Sequence, residues 1–446
     1  MKTTTDQLAE HFHSLSQQSL NSVQQTACRA RLLDYIGCTL AGAGLLQTQH
    51  QRYLDVSKET SGSAVVFGMS GRSSAETAAL LNDMSAHVAE LDDGDRFGMV
   101  HPGAPVISAV LATVQTRGLN FDDVIRGIYV GYEACVLLAR MLQPHLKDLG
   151  YHATGTCGTL RAAMGVASAC RFDASQFKTA LSAATTSTSG ILKVIRGASQ
   201  LKPFNAGQAA LKGVVAAKIA ETGLLGPTDV MEDSQGFFSL MTQHSDLKLN
   251  ENLKALDAVQ QVYTKPYAAC RHCHGPIEAA LQLRQHKSFS IQDIAAIRVT
   301  THRYAVYLHD HTDIENSHSA KMSVPYSVAV ALVSGMAGLQ AFEAPWLEHD
   351  DVKRLTHCTT LFADEVLTAQ VPDKRVAILE IETHAGTRHT ARVDLPKGEP
   401  ENPINPDELL EKFLSLTTFA GYTQIQAAAL AQSILEDTKP NMLFTG

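Results

Sequence analysis

The 446-residue chain has one tryptophan, no run of basic residues and no apolar stretch long enough to cross a bilayer. Each absence removes a class of protein. Without a Lys/Arg stripe, nucleic acid is not an expected partner. Segments such as VPYSVAVALVSGMAGLQAF from Val324 stop short of the roughly 18 apolar residues that a membrane span needs. The N-terminal MKTTTDQLAEHFHSL carries no apolar core of a secretory signal, so a cytoplasmic location is expected. No G-x-G-x-x-G follows a strand pattern and no Walker loop occurs, which leaves a nucleotide cofactor unsupported. Eight cysteines are scattered along the chain. Cys28, Cys38, Cys135, Cys157, Cys170 and Cys358 read as small buried hydrophobes of a reducing compartment.

The other two cysteines lie in KPYAACRHCHGPIEAAL. Its Cys270-Arg271-His272-Cys273-His274 matches the pattern for covalent haem attachment. That attachment follows export, for which the chain shows no signal. A structural zinc site needs four ligands. His302, His309 and His311 are near in sequence, but no second spaced pair completes such a set. Cys270 and Cys273 are therefore read as packing residues, and neither haem nor zinc is expected there.

What is present is a globular composition, 45% apolar and 18% charged with a net charge of −8, in a chain too long for one core. From about Gln24 to Leu225 apolar residues recur at helical spacing, and Ala, Leu and Met dominate. Asn120 before Asp122 and Asp123 marks a helix start, and Gly118 the end of the one before. After about Val262, alternating β-branched runs appear in IQDIAAIRVTTHRYAVYL and RVAILEIETHAGTRHTARVDL, the latter with Ala385-Gly386 in a hairpin position. SVPYSVAVALVSGMAGL and DDVKRLTHCTTLF between them read as helical. The expected fold is mainly α: an all-helical domain from residues 1–263 and 403–446, with an α+β lid, residues 264–402, inserted before the C-terminal helical return.

Polar residues concentrate in four places. ELDDGDRFGMVHPG holds Glu90, Asp92, Asp93, Asp95 and His101. Tyr151 and His152 precede a Thr/Gly-rich helix start. Lys202 stands at a Pro-marked break in RGASQLKPFNAGQAALKG. Lys265, Tyr267, Arg271, His272 and His274 share the cysteine segment. Taken singly, each has a plain reading: Asp92 and Asp95 as a solvated loop, His101-Pro102 as a cap and first turn, the lysines as exposed loop charges. Together they supply bases, proton carriers and cations, the inventory for removing a proton beside a carboxylate and steadying the resulting anion. Free N–H groups at Thr154 to Thr156 would favour an anion too.

At these residues the chain resembles the MmgE/PrpD family, over nearly its whole length. The resemblance is carried by ARLLDYIGCTLAG, the acidic loop closed by His-Pro, HATGTCGTLRAA, LKPFNAGQAALKG, the Lys265 segment and AKMSVPYSVAVAL, in that order. It implies roles for Asp93, His101, His152, Lys202 and Lys265, a homodimer, no cofactor, and a small di- or tricarboxylate bound between a helical domain and a lid. The expected catalytic set is Asp93, His101, Tyr151, His152 and Lys202. Glu90, Lys265, Arg271, His272 and His274 are expected to hold the substrate. The family's dehydratase and decarboxylase branches usually read Asp-x-Asp-Asp-Thr where this chain has Glu90 and Gly94. The segment after Lys265 is also richer in Arg and His than those branches usually show, and by overall resemblance a cofactor-independent epimerase of an iminodisuccinate-like dicarboxylate is expected. A lyase of the 2-methylcitrate dehydratase or cis-aconitate decarboxylase type is the alternative, and a metal-binding or non-catalytic helical protein the remaining one.

Overall fold

The computed structural model describes residues 2–58, 62–195, 199–244, 247, 249, 253–286, 289–440 and 443. Residues 196–198, at the start of the segment that leads to Lys202, are outside them. The fold is mainly α-helical. The first half runs through α1 (Thr4–Ser16), α2 (Ser22–Ser57), α3 (Ala75–Val88), α4 (Gly103–Arg117), α5 (Phe121–Leu142), α6 (Ala153–Ala169), α7 (Ala174–Ser187) and α8 (Lys202–Glu221). Local chemistry sets many of the starts. Asn21, Asn120 and Asp173 each cap a helix, accepting from the N–H of its third residue and donating their own N–H to that residue's side chain, an arrangement worth about 1 kcal/mol per cap. Gly118 closes α4 in the left-handed conformation.

Helix α6 is the axis of this half. All of its residues are buried, and α4, α5, α7 and α8 pack around it. Small side chains permit that density. A Cβ on Gly213 of α8 would come within 2.4 Å of Ala162 Cβ, so only glycine allows the two helices this approach. Gly42 of α2 does the same against α3, where an added Cβ would meet the Ser85 carbonyl at 1.8 Å. The C-terminal helices α12 (Pro406–Phe419) and α13 (Gln424–Glu436) return to pack on α2.

Between these halves lie α9 (His274–Gln285), α10 (Val324–Ser334), α11 (Asp350–His357) and a sheet of β1 (Ile294–Thr301), β2 (Thr359–Ala363), β3 (Ala377–Thr383) and β4 (Arg388–Val393). The strand order is β2-β1-β3-β4, with β1 and β2 parallel and the other pairs antiparallel. Strand β3 alternates strictly between buried and half-buried residues, so one face meets α9 and the other is partly solvated. Gly386 takes a positive φ in the β3–β4 turn, as the hairpin reading of Ala385-Gly386 requires. One expectation fails here. DDVKRLTHCTTLF is helical only to His357, and Thr359-Thr-Leu-Phe-Ala363 is strand β2. Its β-branched start favours a strand, and pairing with β1 outweighs continuation of the helix.

The apolar cluster under the sheet also takes in Cys38, Ala41, Ala89, Leu91 and Leu416 from the helical part. The two parts therefore share a core at the joint. The acidic loop after α3 and the segment from Tyr263 to α9 run together at this joint, bonded across Gly94 and Tyr263.

Candidate active site

The acidic loop begins under strain. Glu90, directly after α3, has φ +56, and Met99 further on has φ +47, conformations that cost a non-glycine residue energy and occur where the surroundings impose them. Here the imposition is electrostatic. Glu90 is buried and its two oxygens meet two buried lysines, Lys202 Nζ on one and Lys265 Nζ on the other, the latter at 3.4 Å. Lys265 Nζ also lies 3.4 Å from Asp92 Oδ1. Asp92 Oδ2 in turn takes His87 Nδ1 at 2.7 Å and faces His101 Nδ1 at 3.4 Å. Burial raises the Glu90 pKa, but the two lysines outweigh it and hold the carboxyl well below its usual range. Burial raises Asp92 as well, and His101, His87 and Lys265 reverse it. For Lys265 burial favours the neutral amine, and Asp92 and Glu90 overturn that and lift it above its ordinary value.

Asp92 and Asp95 thus do not form a solvated loop. Both are buried, and Asp95 is bound bidentately by Arg140 at 2.7 and 3.1 Å. The plain reading of Lys202 and Lys265 as exposed loop charges fails for the same reason: the carboxylates that neutralise them are buried too.

A small cavity of about 90 Å³ opens beside this cluster, between the helical part and the α+β part. Of the expected residues, His101, Tyr151, His152, Lys202, Arg271 and His272 line it. Glu90 and Lys265 stand behind Lys202. Asp93 points away: its carboxylate accepts from Gly103 N at 2.9 Å and Tyr132 Oη at 2.6 Å, and burial pushes its pKa up to about 6. Its carbonyl, however, faces His101 Nδ1 at 2.7 Å. His274 is fully buried with both ring nitrogens engaged, one to Arg271 at 2.8 Å and one to the Ala269 carbonyl at 3.1 Å. Arg271 borders the cavity, yet its five N–H donors meet Glu399 (twice), His274, and the carbonyls of Pro396 and Lys397. It has none to spare. The helix start at α6 is buried as well, with Gly155 and Thr156 N–H already given to the His152 carbonyl.

The two cavity histidines differ in tautomer. His101 Nδ1 faces a carbonyl and a carboxylate, both acceptors, so it holds the proton and leaves Nε2 free as a base. His152 Nδ1 faces the Asn205 amide nitrogen at 3.4 Å, and that nitrogen also donates to the Ile191 carbonyl at 3.2 Å. Nδ1 of His152 is therefore the acceptor, and Nε2 carries the proton. Burial holds both imidazoles well below their usual pKa, so each is neutral at pH 7.

Sequence reasoning missed several lining residues: Lys147, Tyr263, Cys270, His309 and Arg375. Cys270 is half-buried at the cavity, not packing filler like the fully buried Cys273, and Cys170 and Cys358 are also only half-buried. Burial lowers Lys147 to about 8. Arg375 is buried and gives Nη2 to the Arg96 carbonyl at 3.1 Å, while its Nε has no partner among the described residues.

His87, Asp92 and His101 have ligand atoms within 4.8 Å of one another, the one such metal-like group among the described residues. Both histidines direct Nδ1 at the same Asp92 oxygen, and Lys265 faces the other, so the set is closed on itself by hydrogen bonds and charge. Among the described residues, the Cys270 segment forms no comparable group with the nearby histidines.

Residues 6–250 match the MmgE/PrpD N-terminal domain, and residues 267–437 the MmgE/PrpD C-terminal domain. The chain belongs to the MmgE/PrpD family. A cis-aconitate decarboxylase of Aspergillus terreus is 25% identical over 92% of this chain and 89% of its own length. A cis-aconitate decarboxylase-like protein of Aspergillus oryzae is 26% identical, covering 87% and 85%. The Mus musculus cis-aconitate decarboxylase is 23% identical, covering 93% and 86%. The relatives are named as decarboxylases or decarboxylase-like, which favours the lyase alternative over the expected epimerase.

The departure in that loop also gains a physical cause. A Cβ on Gly94 would fall 2.2 Å from Tyr263 Oη. The phenol, which lines the cavity, fills the space that a side chain at position 94 would take. A hydroxyl is therefore present at this corner, supplied from the other strand of the Gly94–Tyr263 bridge.

Proposed function

We propose that this chain is a cofactor-independent lyase of a small di- or tricarboxylic acid, of the cis-aconitate decarboxylase type, with residues 264–402 as a lid over the helical wall. One observation carries the reading. A cavity between the two parts presents a histidine with a free Nε2, a histidine with an Nε2–H donor, and cations that retain free donors, Lys147, Arg375 and Lys202. Glu90 and Asp92 balance Lys202 and Lys265, so the uncompensated positive charge at the cavity is that of Lys147 and Arg375. These two would pair with substrate carboxylates. Loss of CO₂ breaks a C–C bond and leaves its electron pair on carbon, delocalised into the neighbouring unsaturated carboxylate. Fixed cations stabilise that charge as it develops. Decarboxylation then adds one proton to that carbon and removes none: His152 Nε2–H is placed to hydrogen-bond the developing anion, and His101 Nε2 to carry a proton from water to the carbon.

The test is incubation with cis-aconitate and with 2-methylcitrate in D₂O, read by proton NMR and CO₂ release. Release of CO₂ with one deuterium incorporated supports the decarboxylase. An epimerase is the second reading, favoured because proton carriers reach the cavity from the α+β part as well as from the helical part. Deuterium wash-in with stereochemical scrambling of an iminodisuccinate-like acid, and neither alkene nor CO₂ formed, would establish it instead.

A further inference from the structure

The α+β side of the cavity carries a thiol and an imidazole that the proposed chemistry leaves unused. Cys270 borders the cavity, and its Sγ lies 3.8 Å from His309 Nε2. The pair is set by backbone. His309 Nδ1 is 2.7 Å from the Met322 carbonyl, an acceptor only, so Nδ1 holds the proton and Nε2 faces the thiol as acceptor. Leu308, next in the chain, is held at φ +77. Cys270 N–H donates to the Lys321 carbonyl at 2.9 Å, and the Cys270 carbonyl accepts from Cys273 N at 2.8 Å, which fixes where the thiol points. A thiol hydrogen-bonded to an oriented imidazole is the arrangement that lets a cysteine exchange its proton near neutral pH.

The surroundings support this. His272, Lys147, Arg375 and Lys202 line the same cavity, and Glu90 lies behind Lys202. The His272 ring is 5.2 Å from that of His309, and its Nδ1 has no partner among the described residues. Burial alone would raise the Cys270 thiol, as it raises Cys135 to about 12 and Cys157 to about 11. At Cys270 it is outweighed by His309, with Lys202 assisting, and the thiol falls to about 6.

We infer that Cys270 and His309 form a second proton-transfer pair at this cavity, Cys270 being the group that meets the substrate carbon. The inference rests on the proton chemistry proposed above. In a decarboxylation, which adds one proton to carbon, the electron pair left by CO₂ takes the proton shared between Sγ and Nε2 in place of one delivered from the helical wall. The pair is left as thiolate and neutral imidazole, and regains its proton from water once product departs. In an epimerisation, the thiolate removes the proton and the helical wall returns one to the other face.

Two measurements on the full-length protein test the pair separately from the function. The first is alkylation by iodoacetamide at pH 7, mapped by mass spectrometry. Cys270 is expected to react about tenfold or more faster than half-buried Cys170 and Cys358, because its thiolate fraction is larger. His309→Gln should abolish the difference. Equal rates at the three cysteines in the unaltered protein would overturn the pair, whatever the enzyme turns over. The second is kinetic. With a substrate in hand, Cys270→Ser is expected to lower kcat by about 100-fold or more, with KM and the thermal midpoint little changed. Full kcat with an unaltered pH profile in Cys270→Ser would remove Cys270 from the chemistry and leave the proposed function standing. If the unaltered protein processes none of the acids, that function falls, while alkylation still decides the pair.

Discussion

The two walls of the cavity are built on different principles. At the helical wall, Lys202 is held by buried side-chain charge: Glu90 and Asp92 neutralise it together with Lys265, which enters from the start of the α+β part, and Asp92 draws in His87 and faces His101, whose Nδ1 also meets the Asp93 carbonyl. On the α+β wall, His309 and His274 are held by main-chain carbonyls, those of Met322 and Ala269. The charge of Arg271 there is consumed by Glu399. A wall held by interlocked charges fails as a unit when one charge is removed. A wall held by carbonyls loses one residue at a time. The comparison predicts large, shared effects on the first side and local ones on the second.

The largest expected effect is at Lys265. Lys265→Ala removes a fully buried cation facing two buried carboxylates, and breaking one partner of such a cluster costs about 3–5 kcal/mol. Urea denaturation should show the midpoint falling with little change in slope. A loss below about 1 kcal/mol would mean that the charges on this wall are not interlocked. Next is His101→Gln. It keeps a polar group near the Asp93 carbonyl but removes the proton carrier, so kcat should fall by about 100-fold or more while stability changes little. Equal falls in stability and activity would instead make His101 part of the wall's support.

The same contrast explains what could be read from the sequence. The helical wall comes from runs in which the polar residues stand close together: Glu90 to His101, Tyr151-His152 and Lys202. Their crowding in otherwise apolar helical sequence was the signal. The lysine–carboxylate pairing was not visible, because Lys202 and Lys265 are far from Glu90 in sequence, and for that reason Asp92 read as a solvated loop residue. Lys147, from a short helix of the helical part, and His309 and Arg375, from separate loops of the α+β part, are each ordinary until the fold joins them. His309 was noted only as a stray zinc ligand. Cys270 was set aside because a thiol's chemistry depends on its neighbour, which is 39 residues away. Arg271 shows the opposite error. A cation in the right segment proves to have every donor committed. The helices and the β3–β4 hairpin followed from caps, periodicity and turn residues. Strand β2 did not, since its partner β1 was needed to decide it.

Smaller effects sharpen the picture at Lys147, a cation that reaches the cavity from neither charge cluster. Burial lowers its pKa to about 8, so it is cationic below pH 8 and neutral above. Its pairing with a substrate carboxylate should therefore be present at neutral pH and fade as pH rises through about 8, seen as KM rising while kcat changes less. Lys147→Arg, which stays charged throughout, should flatten that rise. A KM independent of pH between 7 and 9 in the unaltered enzyme would place the substrate away from Lys147.

The smallest effect is expected at Asp93, a residue the sequence placed in the catalytic set. Its carboxylate faces the helical core, receiving Gly103 N–H and the Tyr132 hydroxyl, and it touches the cavity only through the carbonyl that orients His101. Asp93→Asn preserves one acceptor for Gly103 and lets the tyrosine oxygen accept from the new amide. It also leaves the carbonyl in place. Activity should then fall less than about tenfold, against the 100-fold or more expected of a direct acid or base. Asp93→Ala is different, because it strands a buried hydroxyl and a helix N–H and should cost about 1–3 kcal/mol for each group left unpaired. Asn tolerated and Ala destabilising would make Asp93 a positioning residue for His101. If Asn instead lowers kcat as much as His101→Gln does while the fold is unchanged, the carboxylate itself takes part, and the division between a charge-held wall and its chemistry would have to be redrawn to include Asp93.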